Sequence, residues 1–170
     1  SKITIKGNSI TINPKKLKAV NISTAPFPGF PTDLQAPFTS LMTIAKGESK
    51  ITETIFENRM NHIDLLNKMG ASIRLDKNVA HVKGVKKIKG MDLVASDLRS
   101  SAALIIAGII AKGSSKIYGL EHLDRGYENF ESKLKTLGIK ISREPSKQSF
   151  TEKEYKIKKE PEEIQKCTAA

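Results

Sequence analysis

The 170-residue sequence contains 29 lysines and arginines against 18 aspartates and glutamates, so its net charge is +11. Its longest apolar run covers positions 101–111 and is too short to span a bilayer, a single Cys167 excludes an internal disulfide, and the three scattered histidines lack metal-ligand spacing. These features predict a soluble cytoplasmic protein with one domain of ordinary size.

The first predicted element is a β-hairpin. Residues 1–12, SKITIKGNSITI, alternate apolar and polar side chains around a Gly-Asn-Ser turn. The same alternation predicts further strands along the chain, with a tight turn at 76–78. These strands are KAVNIST, ESKITETIF, ASIRLD, NVAHVKGV, MDLVAS and SSKIYGL.

An eight-residue phrase occurs twice in the chain. IAKGESKI at 44–51 returns as IAKGSSKI at 110–117, and a repeat at a fixed offset indicates a duplicated supersecondary unit. An Asp-Leu followed by a helix-compatible run precedes each copy, and an amphipathic segment with a glycine stop follows it. Each unit is therefore predicted to contain a helix, a strand, a second helix and a second strand, in that order. We expect Gly47 and Gly113 to end their helices in a left-handed conformation.

The predicted domain covers residues 1–143, with two repeat units at about 18–90 and 91–143. Residues 144–170 are dense in charge and show little apolar periodicity. They are predicted to form a mobile tail or a partly helical extension.

Carboxylates stand at the predicted helix starts of both units. Thr32 and Gln35 have capping-box spacing, which would put Asp33 at the first helical position. Ser96 is the equivalent predicted cap, with Asp97 at the first helical position. The helix dipole favours a carboxylate there, so an ordinary helix start and a functional role are both open.

Arginines occupy three corresponding places, where the helix dipole disfavours a cation. Arg59 follows a predicted Asn58 cap, Arg125 follows a predicted Asp124 cap, and Arg99 lies at the third position of a first turn. A purely structural account stays open, since solvated cations lose little there. The functional account is a shared cleft for a phosphate or carboxylate, beside an aspartate that could act as a base.

Four motifs, in order and spacing, closely resemble the C-terminal part of the UDP-N-acetylglucosamine enolpyruvyl transferases, a family related to enolpyruvylshikimate-phosphate synthase. The resemblance runs from about residue 18 to 143, and the proline-rich FPGFPTDLQ favours the UDP-sugar branch. The motifs are TAPFPGFPTDLQAPF, ITETIFENRMNH, ASDLRSSAALIIAG and HLDRGYENFESKLKTLGIKI.

The resemblance implies an inside-out α/β barrel of repeated βαβαββ units, with helices inside and sheets outside. It also implies transfer of enolpyruvyl from phosphoenolpyruvate to the 3-hydroxyl of UDP-N-acetylglucosamine, by addition and then elimination of phosphate, without a metal or organic cofactor. That reaction is the first committed step of peptidoglycan synthesis, on which cell-wall biogenesis, cell shape, the cell cycle and cell division depend.

The resemblance also implies roles for individual residues. Asp33 matches the aspartate that contacts the sugar hydroxyl as partner or base, and Ile55 matches a residue that lines the UDP-sugar site. Asp97 matches a carboxylate near the reacting centre. Arg99 and Arg125 match two arginines that hold phosphoenolpyruvate. Arg59 matches a further active-site arginine of the same cleft.

The chain departs from the family in length. Members are more than twice as long. The domain that carries their loop cysteine has no counterpart here, and their N-terminal lysine motif is also absent. Cys167 lies outside the matched region and is given no catalytic role. We expect an isolated chain to be inactive or to need the missing N-terminal half.

Two alternatives stay open. One is a noncatalytic anion- or RNA-binding module of related architecture, since lysines cluster at 15–18 and 83–90; the scarcity of aromatic residues disfavours nucleic acid. The other is a structural remnant that folds and binds nothing.

Overall fold

The computed structural model describes residues 2–13, 15–145 and 153–157. The strands, in chain order, are β1 (Lys2–Lys6), β2 (Ser9–Asn13), β3 (Ile22–Ser23), β4 (Glu48–Thr52), β5 (Ser72–Asp76), β6 (Val79–Lys83), β7 (Asp92–Val94), β8 (Ser115–Tyr118), β9 (Ile141–Pro145) and β10 (Lys153–Ile157). The helices are α1 (Gln35–Met42), α2 (His62–Lys68), α3 (Leu98–Ile110), α4 (Glu121–Asp124) and α5 (Phe130–Thr136).

Two four-stranded sheets share one topology. The strand order is β3-β4-β6-β5 in the first and β7-β8-β10-β9 in the second. In each, the first pair is parallel and the other neighbours are antiparallel. The repeated phrase therefore marks a duplicated sheet-and-helix unit, as predicted.

The repeated phrase lies between the first long helix and the next strand of each unit. Its Ser-Lys-Ile part enters β4 and β8, and Gly47 and Gly113 have φ of 115° and 97°. The positive φ expected of both glycines is thus confirmed. The helices end earlier, at Met42 and Ile110, so these glycines turn the connecting loops and do not cap the helices directly.

The two long helices form the interior layer. α1 packs on the first sheet, α3 packs on the second, and α1 and α3 pack against each other. The Ser40 hydroxyl donates to the Ala103 carbonyl at 2.8 Å across this contact. The eleven-residue apolar run noted in the sequence lies mostly in α3 and is largely buried. No helix in the described ranges has the length and apolar character needed to cross a membrane.

The predicted caps at the first helix of each unit are wrong. Residues 32–34 form a 3-10 turn before α1, and the Thr32 hydroxyl donates to Glu53 at 2.8 Å rather than capping the helix. At α3 the cap is Asp97, not Ser96. Its extended backbone lets its short carboxylate accept from the amides of Arg99 and Ser100, at 2.9 and 3.0 Å. Arg99 is therefore the second helical residue.

The other two arginines do not begin helices either. Asn58 has a φ of 50°, and α2 begins three residues after Arg59. Arg125 directly follows the last residue of α4, where the helix dipole favours a cation. The predicted cap Asp124 lies inside α4 and pairs with Arg143 at 2.6 Å. The dipole argument made for Arg59 and Arg125 therefore does not hold.

The predicted boundary at residue 143 is too early. β9 continues to Pro145, and β10 lies within the predicted tail, where it pairs with β8 and β9. The second unit thus has the same number of strands as the first. The rest of the predicted tail, including Cys167, lies outside the described residues.

The predicted N-terminal hairpin is confirmed as a separate two-stranded sheet, with Gly7 at positive φ in its turn. Its antiparallel register puts four isoleucines opposite one another in two cross-strand pairs. All four are more than half exposed: Ile3 at 61%, Ile5 at 72%, Ile10 at 58% and Ile12 at 56%. An apolar sheet face of this kind is typical of a surface that another segment covers.

Candidate functional site

The carboxylate of Asp33 joins the two units. Its Oδ1 accepts from Arg99 Nε and Nη2, at 2.7 and 2.6 Å, and lies 3.4 Å from Nη1 of Arg59. Asp33 and Arg99 are separated by 66 residues, the offset of the repeated phrase. Because α1 and α3 pack together, the starts of the two helices meet and bring these side chains into contact.

The Arg59 guanidinium is the less exposed of the two. Its side chain is 18% exposed, against 30% for Arg99, and it stacks 3.6 Å from the ring centroid of Phe56. Its Nη1 also donates to the Thr32 hydroxyl at 2.9 Å. Burial and then the neighbouring charge of Arg99 lower the pKa of Arg59, and the carboxylates of Asp33, Glu53 and Asp97 oppose this. An added anion near the two guanidinium groups would stabilise their charged forms further.

Asp97 is held in its ionised form at the start of α3. Burial alone would raise the pKa of this carboxyl, but hydrogen bonds from Ser100, from the Arg99 amide and from Ser96 bring it below its usual range. Both carboxylate oxygens are engaged in these bonds. Asp97 therefore shapes the site as a fixed anion that caps the helix.

Glu53 organises the part of the site next to Asp33 and Arg59. This buried carboxylate accepts from the hydroxyls of Thr24 and Thr32, at 2.9 and 2.8 Å, and from the amides of Ile55 and Phe56, at 2.9 and 3.2 Å. Burial raises its pKa, and these hydrogen bonds outweigh burial and lower it. Glu53 thus fixes the turn that carries Ile55, and it fixes Thr32 beside Asp33.

A hollow of about 220 Å³ opens at the two arginines. Asp33 binds both guanidinium groups at this place. The hollow is lined by Asn58, Arg59, Asn61, His62, Asp97, Arg99 and Ser100.

Arg125 lies at a second hollow, of about 360 Å³, which it lines with Ser96, Asp97, Leu98 and His122. Its guanidinium contacts the His122 ring. Arg99 and Arg125 thus line two different hollows in this structure, and a common anion held by both arginines stays a prediction. The two hollows adjoin, since Asp97 lines both. Ile55 lies on the Glu53 turn and is 37% exposed.

Sequence reasoning missed two buried residues of the site, Glu53 and His62. Both had a signal in the sequence. Glu53 continues the inward-facing period-2 series of Ser49 and Ile51, where a carboxylate is unexpected. His62 has the helical spacing of a core position with Leu66, and both side chains are buried.

Replacing Asp33 by asparagine is expected to strengthen the binding of inorganic phosphate about threefold. The carboxylate competes with an added anion for Arg59 and Arg99, and an exposed ion pair of this kind contributes roughly 0.2 to 1 kcal/mol. Phosphate titration followed by NMR measures the change. Asp76→Asn, on the exposed end of β5, is the control, and an unchanged or weaker affinity in Asp33→Asn would contradict competition.

Solved structures identify the fold class first. The chain superposes on the enolpyruvyl transferase NikO from Streptomyces tendae with a TM-score of 0.72 at 27% identity, over 81% of this chain and 32% of that one. EPSP synthase from Acinetobacter baumannii gives a TM-score of 0.58 at 15% identity, over 81% of this chain and 30% of that one, and shares the fold. The duplicated unit is therefore that of an enolpyruvyl-transferase-like α/β protein.

The family follows from the sequence match. The family model described as EPSP synthase (3-phosphoshikimate 1-carboxyvinyltransferase) matches residues 1–134, and the chain belongs to this family.

The named relatives point to the UDP-sugar branch. UDP-N-acetylglucosamine 1-carboxyvinyltransferase from Prochlorococcus marinus strain AS9601 is 76% identical over all 170 residues, and that from strain MIT 9312 is 74% identical over the same length. The resemblance inferred from the four motifs is thus confirmed. The chain spans 37% of the length of each of these relatives.

Proposed function

We propose that this chain forms part of the substrate cleft of a UDP-N-acetylglucosamine enolpyruvyl transferase. The observation that carries the proposal is the contact of Asp33 with both Arg59 and Arg99, the two arginines that line one hollow. Two of these residues come from the first unit and one from the second. The 76% identity to a named UDP-N-acetylglucosamine 1-carboxyvinyltransferase supports UDP-N-acetylglucosamine as one substrate, and membership of the enolpyruvyl transferase family supports phosphoenolpyruvate as the other.

In the proposed reaction, Asp33 accepts the proton of the sugar 3-hydroxyl, whose oxygen adds to C2 of phosphoenolpyruvate while C3 takes up a proton from water or from the rest of the cleft. Loss of a proton from C3 then restores the double bond and expels phosphate from C2. Arg59 and Arg99 hold an anionic group of phosphoenolpyruvate, and Arg125 binds a second anionic group in the adjoining hollow. Asp97 lines both hollows, and its carboxylate sets the position of Arg99 by accepting from the Arg99 backbone amide. Ile55 provides an apolar contact for the nucleotide sugar.

The anion and the hydroxyl are linked through Asp33. Without a ligand, its carboxylate is bound by Arg99 at 2.6 Å. A phosphate or carboxylate that enters the hollow competes for the same guanidinium groups. Binding of phosphoenolpyruvate therefore releases Asp33 to act on the sugar hydroxyl, since a carboxylate freed from an ion pair is the stronger hydrogen-bond acceptor.

The proposed complete protein closes these units into an inside-out barrel in the cytoplasm, where it serves peptidoglycan synthesis and with it cell-wall formation and division. The exposed isoleucine face of the β1–β2 hairpin supports further polypeptide there. This hairpin precedes β3 as the β5–β6 hairpin precedes β7, and β6 pairs with β4 of its own unit. By this analogy, β1 and β2 complete another unit, which belongs to the missing half.

Grafting tests the proposal. The chain replaces the matching segment of the 76%-identical relative, and release of phosphate is measured with both substrates present. We expect the graft to be active and Asp33→Ala in the graft to lose about a hundredfold or more in rate, as for loss of a general base. Asp76→Ala is the matched control.

The chain alone is expected to release no phosphate at a comparable rate, because the rest of the cleft is absent. Robust turnover by the pure chain would contradict this expectation. A folded graft that fails to bind UDP-N-acetylglucosamine would contradict the proposed function.

A further inference from the structure

His62 is a buried polar group that the proposed reaction does not use. It is the first residue of α2, its side chain is 1% exposed, and it lines the hollow with Arg59 and Arg99. Its Nε2 has no hydrogen-bond partner among the described residues. Such an atom costs folding free energy unless a partner is supplied.

The ring is uncharged near neutral pH. Burial lowers the pKa of His62 to about 4, and the nearby Asp97 carboxylate opposes this only in part. A neutral imidazole has one N–H, and which nitrogen carries it depends on the partner that each nitrogen finds. Nε2, which is itself buried, can therefore donate to an acceptor once binding brings one within reach.

Asp97 is not that acceptor. Its Oδ1 accepts from the amides of Arg99 and Ser100, and its Oδ2 accepts from the hydroxyls of Ser96 and Ser100. The other charged groups that line the hollow, Arg59 and Arg99, only donate. An oxyanion placed between the two arginines brings a charged acceptor, which the lining of the hollow otherwise has only in the fully engaged Asp97.

We propose that His62 is a ligand-binding residue of this hollow, whose Nε2–H donates a hydrogen bond to an oxygen of the bound phosphate or carboxylate. The inference rests on the proposed function, in which the arginines hold an anion. The two kinds of donor in the hollow have different roles. The arginines attract the negative charge, and the neutral ring fixes the orientation of one oxygen.

Two anions and three variants test the inference on the 170-residue chain. Inorganic phosphate and pyruvate are titrated separately by NMR, so that phosphate and carboxylate recognition are told apart. His62→Leu removes the donor at similar volume, His62→Gln keeps an N–H, and His81→Gln on β6 is the control. We expect His62→Leu to bind the preferred anion about tenfold more weakly, His62→Gln to stay within about threefold, and His81→Gln to match the unmodified chain.

A second measurement needs no variant. In the unmodified chain, the Nε2–H resonance of His62 is expected to shift downfield as the anion saturates the hollow. Wild-type affinity of a folded His62→Leu for both anions, or an unmoved ring resonance at saturation, would overturn the role of His62. If Arg99→Ala still abolishes binding in that case, the anion site stands without it. If neither anion perturbs the hollow of the unmodified chain, both ideas fail.

Discussion

Replacing Arg59 and Arg99 together by alanine is expected to weaken phosphate binding by about a hundredfold or more. A charge-assisted hydrogen bond contributes roughly 1.5 to 3 kcal/mol, and two are lost. The free energy of unfolding should fall by only about 1 to 2 kcal/mol, because the ion pairs with the exposed Asp33 contribute roughly 0 to 1 kcal/mol and the stacking of Arg59 on Phe56 contributes about 0.5 to 1 kcal/mol. NMR titration gives the affinity, and urea denaturation gives the stability.

Two arginines elsewhere serve as controls. Arg74→Ala, on the exposed face of β5, should bind phosphate as the unmodified chain does. Arg125→Ala should weaken binding at the hollow of Arg99 by only about twofold, since it acts there through partly screened charge. A loss in Arg125→Ala as large as in Arg99→Ala would instead mean that both arginines hold one anion. Retained affinity in the double variant would remove the anion site.

The free energy of unfolding is expected to fall by about 3 kcal/mol between pH 6.5 and pH 4 because of His62. Burial lowers the pKa of His62 from 6.5 to about 4 in the folded protein. In that pH window the unfolded chain binds a proton that the folded chain refuses, so acid favours unfolding. Stability from this group is complete above pH 6.5 and is lost as the pH falls through 4.

Urea denaturation at a series of pH values measures this dependence. His62→Leu should flatten the curve between pH 6.5 and 4, whereas His81→Gln should not. The charged groups that line the hollow with His62 are Asp97, Arg59 and Arg99. Asp97 and Glu53, whose pKa values are lowered, add a further loss of stability in more acid solution. An equal slope in His62→Leu would mean that His62 is not the titrating group.

Local pattern predicted the strands well and the helix ends poorly. Alternation identifies β1, β2, β5 and β6 because each strand shows its two faces in consecutive residues. A cap depends on which nearby acceptor reaches a free amide first, and at α3 the Asp97 carboxylate does so in place of Ser96. The short α4 has too few residues for a periodic signal, so the sequence did not show that Arg125 follows the end of a helix rather than beginning one.

The sequence by itself determined the duplicated unit, its strands and the buried α3, and it proposed Asp33, Arg59 and Arg99 as site residues. These follow from periodicity, repetition and motif, all of which are written along neighbouring positions. Only the tertiary structure decided which of these residues meet. Arg99 reaches Asp33 across 66 residues, and Glu53 joins Thr24 and Thr32 across 29 and 21. Such partners depend on how α1 and α3 pack, and packing is a property of the whole core rather than of any one segment.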